Sequence, residues 1–87
     1  MEIRHDATNQ CFRTANGAVL EYTMKDGLHY FDHTEVPPEL RGQGVAGQLA
    51  KAAFDHAVEN GWKVVPACSY IEVYLRRHPE YSGIIAG

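Results

Sequence analysis

Residues 36–50 read VPPELRGQGVAGQLA. Pro37 and Pro38 close one kind of structure, and an alanine-rich segment opens another. Between them stand Gly42, Gly44 and Gly47, three glycines within six residues, where a helix is about to begin. Glycine inside a helix costs up to about 1 kcal/mol relative to alanine. Bare backbone at this point therefore serves either an unusual turn or the close approach of something else.

Toward the carboxyl end, apolar residues recur with helical spacing over 45–60. Val45, Ala46, Leu49, Ala50, Ala53, Phe54, Ala57 and Val58 fall on one broad arc, and Gln48, Lys51, Asp55 and Glu59 fall opposite. The middle of the arc is mostly alanine, which lets a helix lie close to a flat surface, so it is expected to pack on a sheet. Asn60-Gly61 ends it, with glycine at the usual left-handed position. Residues 62–66 read as a short buried strand. Ser69 is the expected cap of a second helix over 70–77, which stops before Pro79. His78-Pro79-Glu80-Tyr81 reads as that stop with its own packing.

Toward the amino end the pattern is strand and turn. Residues 2–5 and 10–13 are short strands around Ala7-Thr8-Asn9, and Asn16-Gly17 is a tight turn. Residues 18–24 form a third strand, Lys25-Asp26-Gly27 a second turn, and 28–36 a fourth strand. Proline cannot donate to a ladder, so the meander ends at Pro37. The order is ββββ-α-β-α. The crossover through the long helix makes strands 28–36 and 62–66 parallel. The expected class is α/β (α+β): an antiparallel meander, one βαβ crossover and a closing helix. Tyr22, Tyr30, Phe31, Phe54 and Trp62 are the expected aromatic core.

Length and charge bound the rest. The chain has 87 residues, enough for one domain, and a formal charge of -3 from 8 Lys+Arg and 11 Asp+Glu. There is no basic run to follow a nucleic acid backbone. There is also no apolar stretch of membrane-spanning length and no signal-peptide core in MEIRHD, so a soluble cytoplasmic protein is expected. Cys11 and Cys68 form no CxxC pair and are expected as free thiols. His29 and His33 lie in one strand, where their spacing separates them by about 13 Å, too far for one metal ion. No metal site is expected.

The glycine loop lies at the carboxyl end of strand 28–36 and the amino end of the long helix. Open α/β sheets bind ligands at that place, and helix amides meet anions there. Free N–H groups over 43–47 can point at a phosphate that the glycines let approach. A turn that needs glycine only for its dihedral angles explains the composition equally well.

Arg41-Gly42-Gln43-Gly44-Val45-Ala46 resembles the Q/R-x-x-G-x-G/A motif of the GNAT superfamily of acetyl-CoA-dependent N-acyltransferases, with Arg41, Gly44 and Ala46 at its three defined positions. Further segments resemble one subgroup, the very small single-domain GNAT-like proteins of the YjdJ type. These segments are His33-Thr34-Glu35-Val36-Pro37, Pro66-Ala67-Cys68-Ser69-Tyr70 and His78-Pro79-Glu80-Tyr81. Together they cover most of residues 28–82. The chain departs from full-length GNAT enzymes in lacking the later strands and opening helices that shape an acceptor pocket.

The resemblance implies acetyl-CoA as cofactor, with Arg41, Gly42, Gln43, Gly44, Val45, Ala46 and Gly47 at its pyrophosphate. It implies that the pantetheine lies between strands 28–36 and 62–66, near Thr34, Val36 and Cys68, and that backbone donors near residues 33–36 polarise the thioester. His33 and Glu35 are the titratable groups expected nearest the reacting carbonyl, as bases toward an amine. The alternative is a packed His33 and a solvated Glu35. Tyr70 and Tyr74 lie where GNAT enzymes carry a tyrosine near the CoA sulfur, with core packing expected of at least one. Cys68 lies beside a helix amino terminus, whose partial positive charge suits a nucleophilic thiol. It is otherwise a small buried space-filler. Two functions follow, an acetyltransferase acting on a small or protein-borne amine and a non-catalytic CoA-binding module, in a monomer or a homodimer.

Overall fold

The structure is a computed structural model that describes residues 1–86. Its elements are β1 (Arg4–Asp6), β2 (Cys11–Arg13), β3 (Val19–Lys25), β4 (Leu28–Glu35), α1 (Val45–Glu59), β5 (Lys63–Pro66) and α2 (Ser69–Arg77). Short 3-10 turns over Pro38–Leu40 and Pro79–Ile84 follow β4 and α2. The five strands form one sheet in chain order, antiparallel from β1 to β4 and parallel between β4 and β5.

Local chemistry accounts for the meander. Asp26 and Gly27 both have positive φ, 54° and 78°, and join Lys25 directly to Leu28. A two-residue turn of this kind matches the twist of the strands it joins. Asp6 accepts the backbone N–H (3.2 Å) and the side-chain amide (2.8 Å) of Asn9, which closes the β1–β2 turn. Thr14 does the same for the next connection by accepting the N–H of Ala18 at 3.2 Å.

α1 lies on one face of the sheet. Val45, Leu49, Ala50, Ala53, Phe54 and Ala57 are buried against Phe12, Leu20, Tyr22, Phe31 and Val64. Val58, expected on the same arc, is 52% exposed because it sits at the edge of the contact. Tyr30, expected in the core, is half-buried on the other face, because its neighbours His29 and Phe31 take the core side and strand residues alternate. Trp62 is half-buried at the margin of the core.

β4 carries a bulge. Tyr22 pairs with Phe31 but Glu21 pairs with His33, so Asp32 is an extra residue. Its carboxylate accepts the hydroxyl of Thr23 at 2.6 Å. A bulge shifts the alternation by one position. Thr34 thus joins Leu20 on the helix-covered face, while His33 and Glu35 join Glu21 and Val19 on the open face.

The parallel pairing runs only from Leu28–Lys63 to Phe31–Pro66, with one further bond from the N–H of Ala67 to the carbonyl of Phe31 at 3.1 Å. Beyond it β4 continues for four residues without β5. The outer edge of β5 is partly covered by the chain end: Val64 bridges Ile85, and the N–H of Ala86 donates to the carbonyl of Val64 at 2.9 Å.

Candidate functional site

The quoted stretch resolves into four parts. Pro38–Leu40 makes one 3-10 turn, Arg41 is extended, Gly42 and Gly44 are left-handed at φ 81° and 73°, and α1 starts at Val45. Gly42 and Gly44 thus satisfy the dihedral requirement of the turn. A side chain at either would meet nothing within 4 Å but would strain the backbone. Gly47 differs. It lies within α1 at an ordinary φ, and a Cβ there would touch only the Tyr70 hydroxyl at an ordinary 3.6 Å. The backbone therefore does not explain Gly47.

α1 begins without a side-chain cap. Gly44 occupies the cap position with no side-chain hydrogen bond, and the first turn holds no acidic residue. The first helical bond is from the N–H of Gln48 to the carbonyl of Gly44, 3.1 Å. The amides of Val45, Ala46 and Gly47 precede it and have no partner within the helix. They open onto a cleft of about 290 Å³ lined by Val36, Leu40, Arg41, Gly42, Gly44, Val45, Ala46, Gly47 and Tyr70. Gln43 does not line it; its side-chain amide donates to the carbonyl of Glu39 at 3.1 Å and braces the turn.

The cleft begins at Val36, just past the end of β4, at the far end of the gap where four β4 residues run without β5. On the helix-covered side of that gap, the Cys68 thiol donates to the Thr34 hydroxyl across 3.8 Å. Cys68, not Ser69, is the N-cap of α2. It is extended at φ -110° and ψ 136°, and its carbonyl accepts the N–H of Glu72 at 3.1 Å. Ser69 is already helical, so the expected serine cap is displaced by one residue, and the thiol sits at the helix end itself. The thiol is half-buried.

His33 and Glu35 face the other way. They lie on the open side of the sheet with Nε2 and Oε1 3.9 Å apart and side chains 53% and 68% exposed. His33 is therefore solvent-facing, not packed. The two tyrosines of α2 separate. Tyr70 lines the cleft, whereas Tyr74 is 7% exposed and stacks on Phe54 and His78, within the core. Burial raises the pKa of both phenols.

Leu40 is a cleft residue that the spacing of the motif does not mark. Its only signal is an apolar side chain in an otherwise polar turn. Among the described residues, no group of His, Cys, Asp and Glu is arranged to hold a metal ion, and no helix is long and apolar enough to cross a membrane.

The site thus combines a glycine turn that feeds an uncapped helix with two parallel strands whose pairing ends at Phe31–Pro66, just before the bulge at Asp32. The model of the GCN5-related N-acetyltransferase family matches residues 7–84. The chain belongs to that family. Its relatives include Protein NATD1 of Gallus gallus, 49% identical over 86 residues that span 91% of this chain and 77% of the relative. Protein NATD1 of Xenopus tropicalis is 40% identical over 86 residues, 91% of this chain and 78% of the relative. Among solved structures, a GCN5-like N-acetyltransferase candidate from Staphylococcus aureus, determined by NMR, superimposes with a TM-score of 0.75 at 32% identity. It covers 99% of this chain and 88% of that one. The five-strand sheet with one parallel pair is thus the GCN5-like fold.

Proposed function

We propose that this chain is an acetyl-CoA-dependent N-acetyltransferase. The uncapped amino terminus of α1, opening onto the Val36–Gly47 cleft, is the observation that carries this reading. Unpaired amides and the helix dipole favour an anion at that point, and the pyrophosphate of CoA is one. Arg41, exposed beside the loop, adds a positive charge. Val36, Leu40 and Tyr70 supply apolar wall.

From the loop, the gap between β4 and β5 leads to Thr34 and Cys68. Backbone N–H groups of β4 in that gap are without β5 partners and suit a polarised carbonyl. Acetyl-CoA, when bound, supplies an acyl group on a good leaving thiolate. The amine acceptor comes from the open face, past His33 and Glu35. Such an amine, with an ordinary pKa near about 10.4, is mostly charged at neutral pH and needs a base. In this reading His33 or Glu35, both exposed on that face, takes its proton.

A covalent route is favoured by the position of Cys68. The half-buried thiol at the α2 amino terminus can take the acetyl group. Its S–C bond forms as the bond from the acetyl carbon to the CoA sulfur breaks, and the thiol proton ends on CoA as its free thiol. Attack by the neutral amine then breaks the Cys68 thioester, and the amine's proton returns the thiol. Calorimetric titration with CoA and acetyl-CoA, followed by CoA release with amines and basic peptides, tests the reading. Micromolar binding, about -8 kcal/mol, and amine-dependent release are expected. Binding without release over spontaneous hydrolysis would make the chain a CoA-binding module. Absence of binding would overturn the site.

A further inference from the structure

The end of the sheet away from the cleft holds a cluster that the proposed chemistry does not use. His29 on β4 lies flat on Trp62, with ring centroids 3.7 Å apart and planes at 6°. The ring is 7% exposed, and both of its nitrogens are buried without a hydrogen-bond partner among the described residues. His5 on β1 and His56 on α1 meet edge-on at 4.3 Å, and both also contact Trp62, at 5.8 Å and 4.9 Å. His5 stacks on Phe12 and bonds the Tyr22 hydroxyl at 2.7 Å. Three imidazoles from three elements therefore surround the one tryptophan of the chain.

We propose that His5 and His29, packed with His56 around Trp62, form an acid-sensitive latch, which holds the β1–β2 hairpin against α1 and the β4–β5 pair while the two rings are neutral and releases it when they are protonated. Solvation sets this response. An imidazolium needs donors satisfied at both nitrogens, and His29 has no acceptor at either. The indole face beneath His29 favours a charged ring, but burial opposes it and lowers the pKa, with His5 and His56 adding repulsion. Burial, then His56, likewise lower the pKa of His5, against a smaller pull from Asp6.

The surrounding groups supply little compensation. On β1, Asp6 is held by Arg13 of β2 at 3.4 Å and by Asn9. Cys11 on β2 and Tyr22 on β3 are neutral, their pKa values raised by burial. α1 contributes His56, while its Asp55 is bound to Lys51 and Tyr81. Lys63, which follows Trp62, is positive and exposed.

The sign follows from linkage. A histidine with a lowered folded pKa leaves the unfolded chain holding more protons, so stability is full above the ordinary value near about 6.5 and falls below it. One unit below, an imidazole that the fold keeps fully neutral raises the unfolding constant about tenfold, and His29, buried with no partner at either nitrogen, is the ring to which this limit applies among the described residues.

The test is urea unfolding of the whole chain at pH 5.5 and 7.5, read by Trp62 fluorescence, with histidine ring protons followed by NMR. The expected results are a clearly lower urea midpoint at pH 5.5 and a His29 ring that titrates only as the fold opens. Hydrogen exchange should show β1–β2 amides losing protection before those of α1. His29→Phe, which keeps an aromatic ring on Trp62, should remove about tenfold of the acid effect, and His5→Phe offers the same comparison on the other side. Equal midpoints at the two pH values in the wild type would overturn the proposal. So would a His29 ring that titrates near its ordinary value in the intact fold, or variants that keep the full acid effect.

Discussion

Cys68 and Thr34 meet across the gap between α2 and β4, thiol to hydroxyl at 3.8 Å, where β5 no longer pairs with β4. The bulge at Asp32 makes this meeting happen, because without it Thr34 would point to the open face. If Cys68 carries the acetyl group, incubation with acetyl-CoA alone should place one acetyl adduct on the wild type, by intact mass. The adduct should be absent from Cys68→Ser and removed by an acceptor amine. An unmodified wild type, together with undiminished transfer by Cys68→Ala, would leave direct attack by the amine as the route.

Gly47 is the cleanest probe of the loop. Gly44→Val confounds binding with backbone strain, since residue 44 is left-handed. Gly47→Ala has no such fault. It should raise stability by up to about 1 kcal/mol through helix propensity, because its new methyl meets only Tyr70 at 3.6 Å. If Gly47 is kept bare for the pyrophosphate, the same variant should bind CoA severalfold more weakly by calorimetry. A more stable protein with unchanged affinity would mean that the phosphate does not approach residue 47. Arg41→Ala should cost less, and its loss should shrink in high salt, since an exposed charge is screened.

The parts of the molecule that local residues specify were legible in the sequence. Asp26-Gly27 marks its turn, Pro37-Pro38 ends the meander, and the alanine arc of Ala50, Ala53 and Ala57 meets the sheet. The parts that depend on long-range placement were not. Nothing in His29–His33 marks Asp32 as the bulged residue, although the bulge decides which face each later side chain takes. Tyr70 and Tyr74 are four residues apart, so only the docking angle of α2 separates cleft from core. The pairing of Val64 with Ile85 and the histidine cluster join segments distant in sequence and leave no local pattern.

The turn after α2 is tied to α1 by one carboxylate. Asp55 accepts the Tyr81 hydroxyl and the Lys51 ammonium, each at 2.6 Å, and Tyr81 stacks on Phe54. The bond from Lys51, then that from Tyr81, hold the Asp55 carboxyl below its ordinary value. Its contribution is therefore present above the ordinary carboxylate range and lost as pH falls through the lowered native value. Tyr81→Phe keeps the stacking and should cost about 1 kcal/mol at neutral pH. Urea titrations should show that deficit narrowing in acid below about pH 4. A deficit that stays constant down to pH 3 would mean that the phenol hydroxyl does not depend on the charged carboxylate.

The open face offers the sharpest separation of binding from chemistry. His33 and Glu35 share that face, 3.9 Å apart, while the cleft and Cys68 lie toward the helices. Neither side chain lines the cleft, so His33→Gln and Glu35→Gln should leave CoA affinity within about twofold of the wild type, less than 0.5 kcal/mol. Both are solvent-exposed, so each should also leave the fold within about 0.5 kcal/mol. If either removes the proton from the amine, its loss should lower transfer by about a hundredfold or more, the usual scale of general base catalysis. The rate should then recover as pH rises and the amine loses its proton unaided. An acceptor already neutral at pH 7 should also be less affected than an alkylamine. Rates that fall equally for both acceptors, at every pH, would show that His33 and Glu35 position the amine and do not deprotonate it. Unchanged rates in both single variants and in the double variant would place the base elsewhere.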